Sequence, residues 1–189
     1  MDTLAKWTVD DYHLMIEAGI LKDRHVELLA GEIHEMAPER PPHTFYGGSM
    51  ADFFRGCLDN RALVREARPI TLADDSEPEP DIALVQGIWL DYRLRHPSPE
   101  EVFLLVEISQ SSLAKDLDRK KSAYAEAGIP EYWVLDLINS LLIVFRNPQG
   151  SNYLQRQELN SGDISPIMFP DIQISVTELF QQVPNIGGA

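Results

Sequence analysis

A buried strand followed by a crossover segment constrains the fold of this chain more than any other feature. Residues 102–108, VFLLVEI, begin with five consecutive apolar residues, which is typical of a buried strand. Ser111 or Ser112 is expected to cap a helix over about 113–127, with Gly128 as its stop, and 131–136 is the next predicted strand. A strand–helix–strand crossover normally joins parallel strands, so the segment 102–136 predicts a parallel pair within a sheet.

The flanking segments predict helices and antiparallel hairpins. Thr8 and the acids after it resemble a capping box for a short helix that stops at Gly19, and Ala30-Gly31 is the expected turn of a hairpin over 25–36. Further predicted segments are helices at about 43–58 and 177–182, extended segments at 62–72, 81–85, 141–146 and 151–158, turns at 139–140 and 147–150, and a long connection at 86–101. We therefore expect an α/β fold, a mixed sheet flanked by helices. A length of 189 residues fits a single domain over 1–189.

The composition limits the partners and the kinds of site. A formal net charge of −14 argues against a surface that binds nucleic acid everywhere, because Lys and Arg supply that affinity by neutralising phosphates. The single cysteine, Cys57, excludes an intramolecular disulfide and a thiolate zinc cluster. No signal peptide or apolar run of about 18 residues is seen, so a soluble cytoplasmic protein is expected. Two basic runs leave open either a local basic face or an ordinary solvated surface: Arg55, Arg61, Arg65 and Arg68, and Lys115, Arg119, Lys120 and Lys121.

Two acidic residues occur where an apolar strand is expected. Asp81 precedes IALV, and Glu107 lies near the end of VFLLVEI, where a buried carboxylate needs a partner. A lysine on the following helix is a candidate partner, because Lys120 falls near the centre of the apolar stripe formed by Leu113, Leu117, Tyr124 and Ala127. Its neighbour Lys121 is expected to face solvent. The alternative is a local i,i+4 pair of Asp116 with Lys120, which needs no functional site.

Two carboxylates and an ammonium are the groups that metal-assisted phosphodiester hydrolysis requires. The carboxylates hold Mg²⁺, the metal lowers the pKa of a water and neutralises the phosphate, and the lysine orients or stabilises the nucleophile. Each acid alone also has a structural explanation: Glu107 as a buried acid satisfied by arginine or backbone donors, and Asp81 as a strand-start residue that accepts from loop amides. A zinc hydrolase is not expected, because no metal-ligand spacing relates His13, His25, His34 and His96.

Several stretches of the chain form one combined pattern. They are Pro80-Asp81, VEISQSS at 106–112, the run from Asp116 through Lys120 to Tyr124, and AGIPEYWVLD at 127–136. VELLAGEIHEMAP at 26–38 and His43 extend the pattern toward the N-terminus. Together they resemble the Uma-type putative restriction endonuclease family of the PD-(D/E)XK nuclease superfamily, over about residues 26–180.

The resemblance implies a restriction-endonuclease-like α/β core with a divalent metal, Mg²⁺ or Mn²⁺. In that family pattern the metal is held by Asp81, Glu107 and the backbone carbonyl of Ile108. This chain has Ser109 where the superfamily signature has lysine. Serine is usual there in the Uma-type pattern, and the lysine comes from the following helix, which matches Lys120.

Two more residues are candidates for the same site. Glu27 would be an additional acid near the metal, and His43 a further acid/base group. The alternatives are a hairpin glutamate that is simply exposed and a capping or surface histidine. Gln110 replaces a proline that is more usual in the family pattern.

Three classes of function remain open. The first is a Mg²⁺-dependent DNA endonuclease, expected to be a homodimer because a domain with one site must pair to cut both strands. The second is a nucleic-acid-binding or regulatory module without turnover, which the net charge favours. The third is a structural or protein-interaction subunit in which the buried acids and Lys120 form only an ion-pair network.

Overall fold

The N-terminal part of the chain is a helix followed by a hairpin. The computed structural model describes residues 4–181. Helix α1, Val9–Glu17, begins at the predicted capping box, in which the hydroxyl of Thr8 accepts from the N–H of Asp11 and the Asp11 carboxylate accepts from the N–H of Thr8. Strands β1, Val26–Leu29, and β2, Glu32–Glu35, pair antiparallel around Ala30-Gly31. The predicted helix and hairpin are confirmed.

A six-stranded mixed sheet forms the centre of the fold, in the strand order β3-β4-β5-β6-β7-β8. Strands β5 and β6 run parallel, and every other neighbouring pair in this sheet is antiparallel. The predicted crossover and the α/β fold with a mixed sheet are confirmed. The strands are β3 (Leu63–Glu66), β4 (Ile82–Val85), β5 (Val102–Ser109), β6 (Glu131–Asp136), β7 (Leu141–Gln149) and β8 (Asn152–Leu159).

The sheet separates two apolar layers, because successive side chains of a strand point to opposite faces. One layer contains Val106 and packs against helix α2, Pro41–Leu58. The other contains Leu105 and packs against the helical segment 113–126. By alternation Glu107 lies on the face of Leu105, so its side chain points toward that helical segment.

The helical segment 113–126 is not a regular α-helix. It consists of α3 (Leu113–Lys115), a π-helical segment (Asp116–Lys120) and α4 (Lys121–Glu126). A helical segment is confirmed at the predicted position, but the prediction of a regular α-helix there is wrong. The N–H of Lys121 bonds the carbonyl of Asp116, an i→i+5 bond that widens the turn. Gly128, with a φ of 77°, follows the end of the helix.

Some boundaries differ from the prediction. Helix α2 begins at Pro41, two residues before the predicted start. Prolines suit the first turn of a helix, because the N–H groups there make no hydrogen bond within the helix. The extended segment 62–72 is a strand only over β3, and β7 continues to Gln149, which shortens the following turn. The connection 86–101 contains two short 3₁₀ helices, Trp89–Tyr92 and Pro99–Glu101.

The C-terminal part adds a small sheet and a helix. Strands β9, Asp163–Ile164, and β10, Ile174–Ser175, pair antiparallel and were not predicted. The predicted helix 177–182 is α5, Val176–Gln181, and Gln182 lies outside the described residues. Within residues 4–181, no helix has both the length and the apolar character needed to cross a membrane.

Candidate active site

The two predicted acids lie next to each other on adjacent strands. Asp81 immediately precedes β4, whose first residue, Ile82, is opposite Val106 of β5. Continued by one residue, this antiparallel register sets Asp81 opposite Glu107, and side chains in such positions have Cβ atoms about 4.5–5.5 Å apart. The Asp81 carboxylate also accepts the N–H of Ile108 at Oδ2, over 2.6 Å. The fold therefore brings both acids to one point of the sheet.

Lys120 reaches these acids from the π-helical segment. Its ammonium donates to Oε1 of Glu107 over 2.8 Å and to the carbonyl of Glu79 over 3.2 Å. Tyr124, one turn further along, donates its hydroxyl to the same Glu107 oxygen over 2.8 Å. Lys120 and Glu107 are 2% and 3% exposed, so this pair is inside the protein, whereas Lys121 is half-buried and belongs to no ion pair among the described residues.

The local alternative for Lys120 is wrong. Asp116 does not pair with the Lys120 ammonium; its Oδ2 accepts the hydroxyls of Ser109 and Ser112, each over 2.6 Å. Ser109, at the position where the superfamily signature has lysine, thus anchors the first turn of the helical segment to β5. Sequence reasoning gave Asp116 no role in the site, although its spacing from Ser112, four residues, is a recognisable side-chain contact within a helix.

Glu27 is not an exposed hairpin glutamate. It is 0% exposed, and its Oε1 lies 2.5 Å from the ammonium of Lys115. Its Oε2 lies 3.4 Å from the Lys120 ammonium and accepts the N–H of Glu79 over 3.1 Å. The hairpin β1–β2 therefore supplies the second carboxylate that holds Lys120 in place.

His43 is neither a cap nor a surface residue. It lies in the first turn of α2, its side chain is 18% exposed, and its Nε2 is 3.1 Å from Oδ2 of Asp81. Burial alone would lower the pKa of His43, but the hydrogen bond and charge of Asp81 raise it above its ordinary value. Glu39, four residues earlier, has its Oε2 3.8 Å from Nδ1 of the imidazole. Sequence reasoning missed Glu39, and no helical spacing could indicate it, because Glu39 precedes the N-cap Arg40 and lies outside α2.

A cavity of about 80 Å³ opens onto these groups. It lies between the start of α2 and the end of β5, and its lining includes Asp81, Glu107 and Lys120. Two polar atoms on its lining residues are buried without a hydrogen-bond partner, Nδ1 of His43 and Oε1 of Gln110. A wider cleft of about 650 Å³ lies elsewhere and shares no lining residue with the acid cluster.

Burial and an excess of carboxylates set the protonation of the cluster. Burial raises the pKa of Glu107 well above its ordinary value; Lys120 opposes the shift and the Asp81 carboxylate adds to it. For Lys120, burial alone would lower the pKa, but the surrounding carboxylates, Glu107 first, raise it. Burial would also raise the pKa of Glu27, yet the charges of Lys120 and Lys115 hold it below its ordinary value.

The donor atoms suit a hard divalent cation. Both hydrogen bonds of the Glu107 carboxylate go to Oε1, and those of the Asp81 carboxylate go to Oδ2. One oxygen of each acid is therefore available, and Mg²⁺ and Mn²⁺ prefer such carboxylate and carbonyl ligands. The N–H and C=O of a strand residue point to the same edge, so the carbonyl of Ile108 lies on the edge that faces Asp81.

The two basic runs do not form a free basic face. Arg55 pairs with Glu66 and Asp52, and Arg61 pairs with Asp171. Arg65 is buried against the rings of Trp89 and Tyr92, and Arg68 bonds the carbonyl of Ala67. In the second run Lys115, Arg119 and Lys120 all contact glutamates. Most of these cations are already neutralised within the chain.

Comparison with known proteins places the chain in a family. Residues 9–177 match the sequence model of Uma2, which is described as "Putative restriction endonuclease". The chain belongs to this family. The match starts in α1 and ends in α5, so it contains every residue of the acid cluster described above.

A solved structure has the same fold. It is a crystal structure from Anabaena variabilis ATCC 29413, described as "a putative nuclease belonging to DUF820". The two proteins superpose with a TM-score of 0.67 and are 16% identical, and the alignment covers 92% of this chain and 97% of the other. No curated protein matches the chain at a significant level of sequence similarity.

Proposed function

We propose that the chain is a divalent-metal-dependent endonuclease that hydrolyses phosphodiester bonds of DNA. The observation that carries the proposal is the pair of adjacent acids with a buried ammonium beside them: Asp81 across from Glu107, and Lys120 at 2.8 Å from Glu107. The description of the family as restriction endonucleases and that of the Anabaena variabilis protein as a nuclease support it.

The cation would be held by Asp81, Glu107 and the backbone carbonyl of Ile108. Mg²⁺ or Mn²⁺ at this point would lower the pKa of a bound water and neutralise charge on the phosphate. Hydrogen bonds within the chain hold both carboxylate ligands in place before a cation binds. The N–H of Ile108 fixes the Asp81 carboxylate, and the hydroxyl of Tyr124 fixes the Glu107 carboxylate.

The role of Lys120 in this proposal is to position the nucleophile and to stabilise the negative charge that develops on the phosphate. Its contacts with Glu107 and Glu27 hold the ammonium in one orientation and keep it protonated, which that role requires. Glu27 then serves as a positioning residue for the lysine. This differs from a metal ligand, because both Glu27 oxygens contact ammonium groups.

One observation favours an alternative, a nucleic-acid-binding or protein-interaction module on the same fold without turnover. The net charge is −14, and most cations of the two basic runs pair with acids of the chain. In that case the buried acids and Lys120 form only an internal network. An internally paired network gains no thermal stability from added Mg²⁺ or Mn²⁺, whereas a preformed cation site does.

A plasmid-nicking assay tests the proposal. Supercoiled DNA is incubated with the wild type and with Asp81→Ala, in Mn²⁺ or Mg²⁺ and in a chelator. The proposal predicts nicked and linear DNA only for the wild type with metal. Equal conversion by both proteins, or conversion in the chelator, would show that the activity does not come from this site.

A further inference from the structure

The surface beside β3 departs from the pairing of cations with acids seen elsewhere in the chain. Arg65 is 3% exposed and has no carboxylate partner among residues 4–181; it donates to the carbonyl of Pro69 over 3.1 Å, and its Nε is buried without a partner. Burial lowers the pKa of Arg65 and the charge of Arg68 adds to this shift, so the two guanidinium groups lie near each other. Arg68 is exposed and likewise contacts no acid in the part of the chain that the structure describes.

An exposed aromatic ring lies against this charge. The guanidinium of Arg65 is 5.3 Å from the centroid of the Trp89 ring and 5.4 Å from that of the Tyr92 ring. Tyr92 is buried, whereas Trp89 is 56% exposed. Proteins that bind single-stranded nucleic acid use this combination, because every base has a face that stacks on an aromatic ring and the arginine attracts the backbone.

The surface adjoins the proposed cation site along the edge of the sheet. The N–H of Ala67 donates to the carbonyl of Asp81 over 3.1 Å, and Arg68 is the next residue. Arg65 pairs with Ala83, two residues from Asp81, so both side chains point to one face of the sheet, about 7 Å apart along the strand. One DNA strand carries a phosphate about every 3.4 Å. The nucleotides next to a phosphate at the cation therefore reach this surface.

We infer that Trp89, Arg65 and Arg68 contact an unpaired segment of the DNA strand next to the cleaved phosphate, with a base stacked on Trp89 and a phosphate at Arg68. This contact deepens the proposed function and rests on it, because it names the class of substrate: DNA with unpaired bases. A base inside an intact duplex is covered on both faces and has to leave the stack before it meets a protein ring. The chain is therefore expected to bind single-stranded DNA more tightly than a duplex.

A second copy of the chain is the alternative occupant. Exposed apolar residues lie beside Trp89 in the chain, namely Ile88, Leu90 and Leu94. A two-fold interface sets the same patch of both copies face to face. Arg68 and Arg93, both exposed and without an ion pair among residues 4–181, would then meet the arginines of the other copy. The charge of the surface favours a polyanion instead.

Fluorescence anisotropy with a labelled oligonucleotide, single-stranded or as a duplex, tests the inference in a chelator. The wild type should bind the single strand more tightly. Trp89→Leu should weaken that binding by about 5- to 100-fold, and Trp89→Phe, which keeps a ring for stacking, by much less. Arg68→Ala should reduce the slope of log affinity against log salt by about 0.7, which is one phosphate contact. The matched control is Arg156→Ala, because Arg156 lies over the Phe145 ring at the opposite edge of the sheet, and this variant should bind as the wild type.

The outcomes separate this inference from the proposed function. If the wild type cleaves plasmid with Mn²⁺ while Trp89→Leu and Arg68→Ala bind the single strand as the wild type does, the surface does not hold DNA and the nuclease remains. If both variants lose affinity and the wild type does not cleave, the surface holds DNA and the proposed hydrolysis is wrong. Tighter binding of the duplex by the wild type would contradict the substrate class.

Two further measurements complete the test. A lower mass of Trp89→Leu in light scattering, with unchanged affinity for DNA, would assign the surface to a second copy and overturn the inference. Circular dichroism checks the fold of each variant. Should Trp89→Leu unfold, Arg68→Ala carries the test, because the Arg68 side chain is exposed.

Discussion

Glu107 is a buried carboxylate with two donors on a single oxygen, the ammonium of Lys120 and the hydroxyl of Tyr124. Breaking a buried ion pair by removing one partner typically costs about 3–5 kcal/mol, because the other charge is left uncompensated. The raised pKa of Glu107 limits this cost, since the carboxyl can take up a proton when Lys120 is removed. The stability of each Lys120 variant therefore has to be measured together with its activity, so that a loss of activity is not confused with unfolding.

Substitution of either acid should remove the proposed cation site of Asp81 and Glu107. We expect Asp81→Ala and Glu107→Ala to lose Mn²⁺ at this site with the fold retained, because each variant lacks one carboxylate ligand. Glu107→Ala should also be less stable than the wild type, because Lys120 then keeps only the Glu27 carboxylate. Calorimetric titration measures the binding, and circular dichroism checks the fold. Glu35→Ala, an exposed acid of the hairpin, is the control and should titrate as the wild type. An unchanged Mn²⁺ affinity in either acid variant would remove that residue from the proposed ligand set.

Elements governed by local chemistry were predictable from the sequence. The capping box at Thr8, the turn at Ala30-Gly31 and the apolar run of β5 each depend on neighbouring residues. The π-helical segment Asp116–Lys120 was not predictable, because its wide turn has no pattern in residue spacing. Nor was the placement of Glu27, which lies beside Lys120 only because the hairpin packs there.

In the site itself, Asp81, Glu107 and Lys120 could be selected from the sequence, since an acid in an apolar strand and a lysine on an apolar stripe are both anomalies. The proximity of Asp81 to Glu107 follows from the register of β4 with β5. The contact of His43 with Asp81 could not be derived in the same way. It depends on how α2 packs against the sheet, which residue spacing within α2 does not specify.

Helix α2 can be stabilised without touching the site. Gly56 lies in its last turns with no atom within 4 Å of an added Cβ. We expect Gly56→Ala to raise the free energy of unfolding by about 0.5–1 kcal/mol, because alanine loses less backbone entropy in a helix. Urea denaturation measures the change.

The matched control for Gly56 is a glycine with a left-handed backbone. Gly128 has a φ of 77° and also has open space around an added Cβ. Its change to alanine should lower the stability by about 1–2 kcal/mol, because L residues are strained there. A loss of stability in Gly56→Ala, or a gain in Gly128→Ala, would contradict this explanation of the two positions.

At the scale of the whole molecule, charge limits how DNA is held. The net charge is −14, and most Lys and Arg side chains near the site pair with acids of the chain. Any affinity for DNA phosphates therefore has to come from a few residues. We propose Arg40 as one of them, since it is exposed, lines the cavity and belongs to no ion pair among residues 4–181. Binding is then expected to be weak, and because few phosphates are neutralised, its affinity should change only modestly with salt.

Cutting both strands of a duplex calls for two sites, and we expect a homodimer with two-fold symmetry. Light scattering on the purified protein should give twice the mass of the 21.4 kDa chain. A mass equal to one chain at micromolar concentration would contradict the dimer. In that case the enzyme should produce mainly nicked plasmid, because a single site cuts one strand at a time.

The central claim is that the ammonium of Lys120, beside the Asp81–Glu107 pair, serves hydrolysis. Its most direct test is to measure Mn²⁺-dependent plasmid cleavage and Mn²⁺ affinity together for Lys120→Ala and its neighbour Lys121→Ala, with thermal unfolding of both. Lys120→Ala should lose cleavage, by about 10²-fold or more for a lost electrostatic stabiliser, and keep its Mn²⁺ affinity. Lys121→Ala should cleave as the wild type and change at most the salt dependence of DNA binding. Wild-type cleavage by a folded Lys120→Ala protein would contradict the claim.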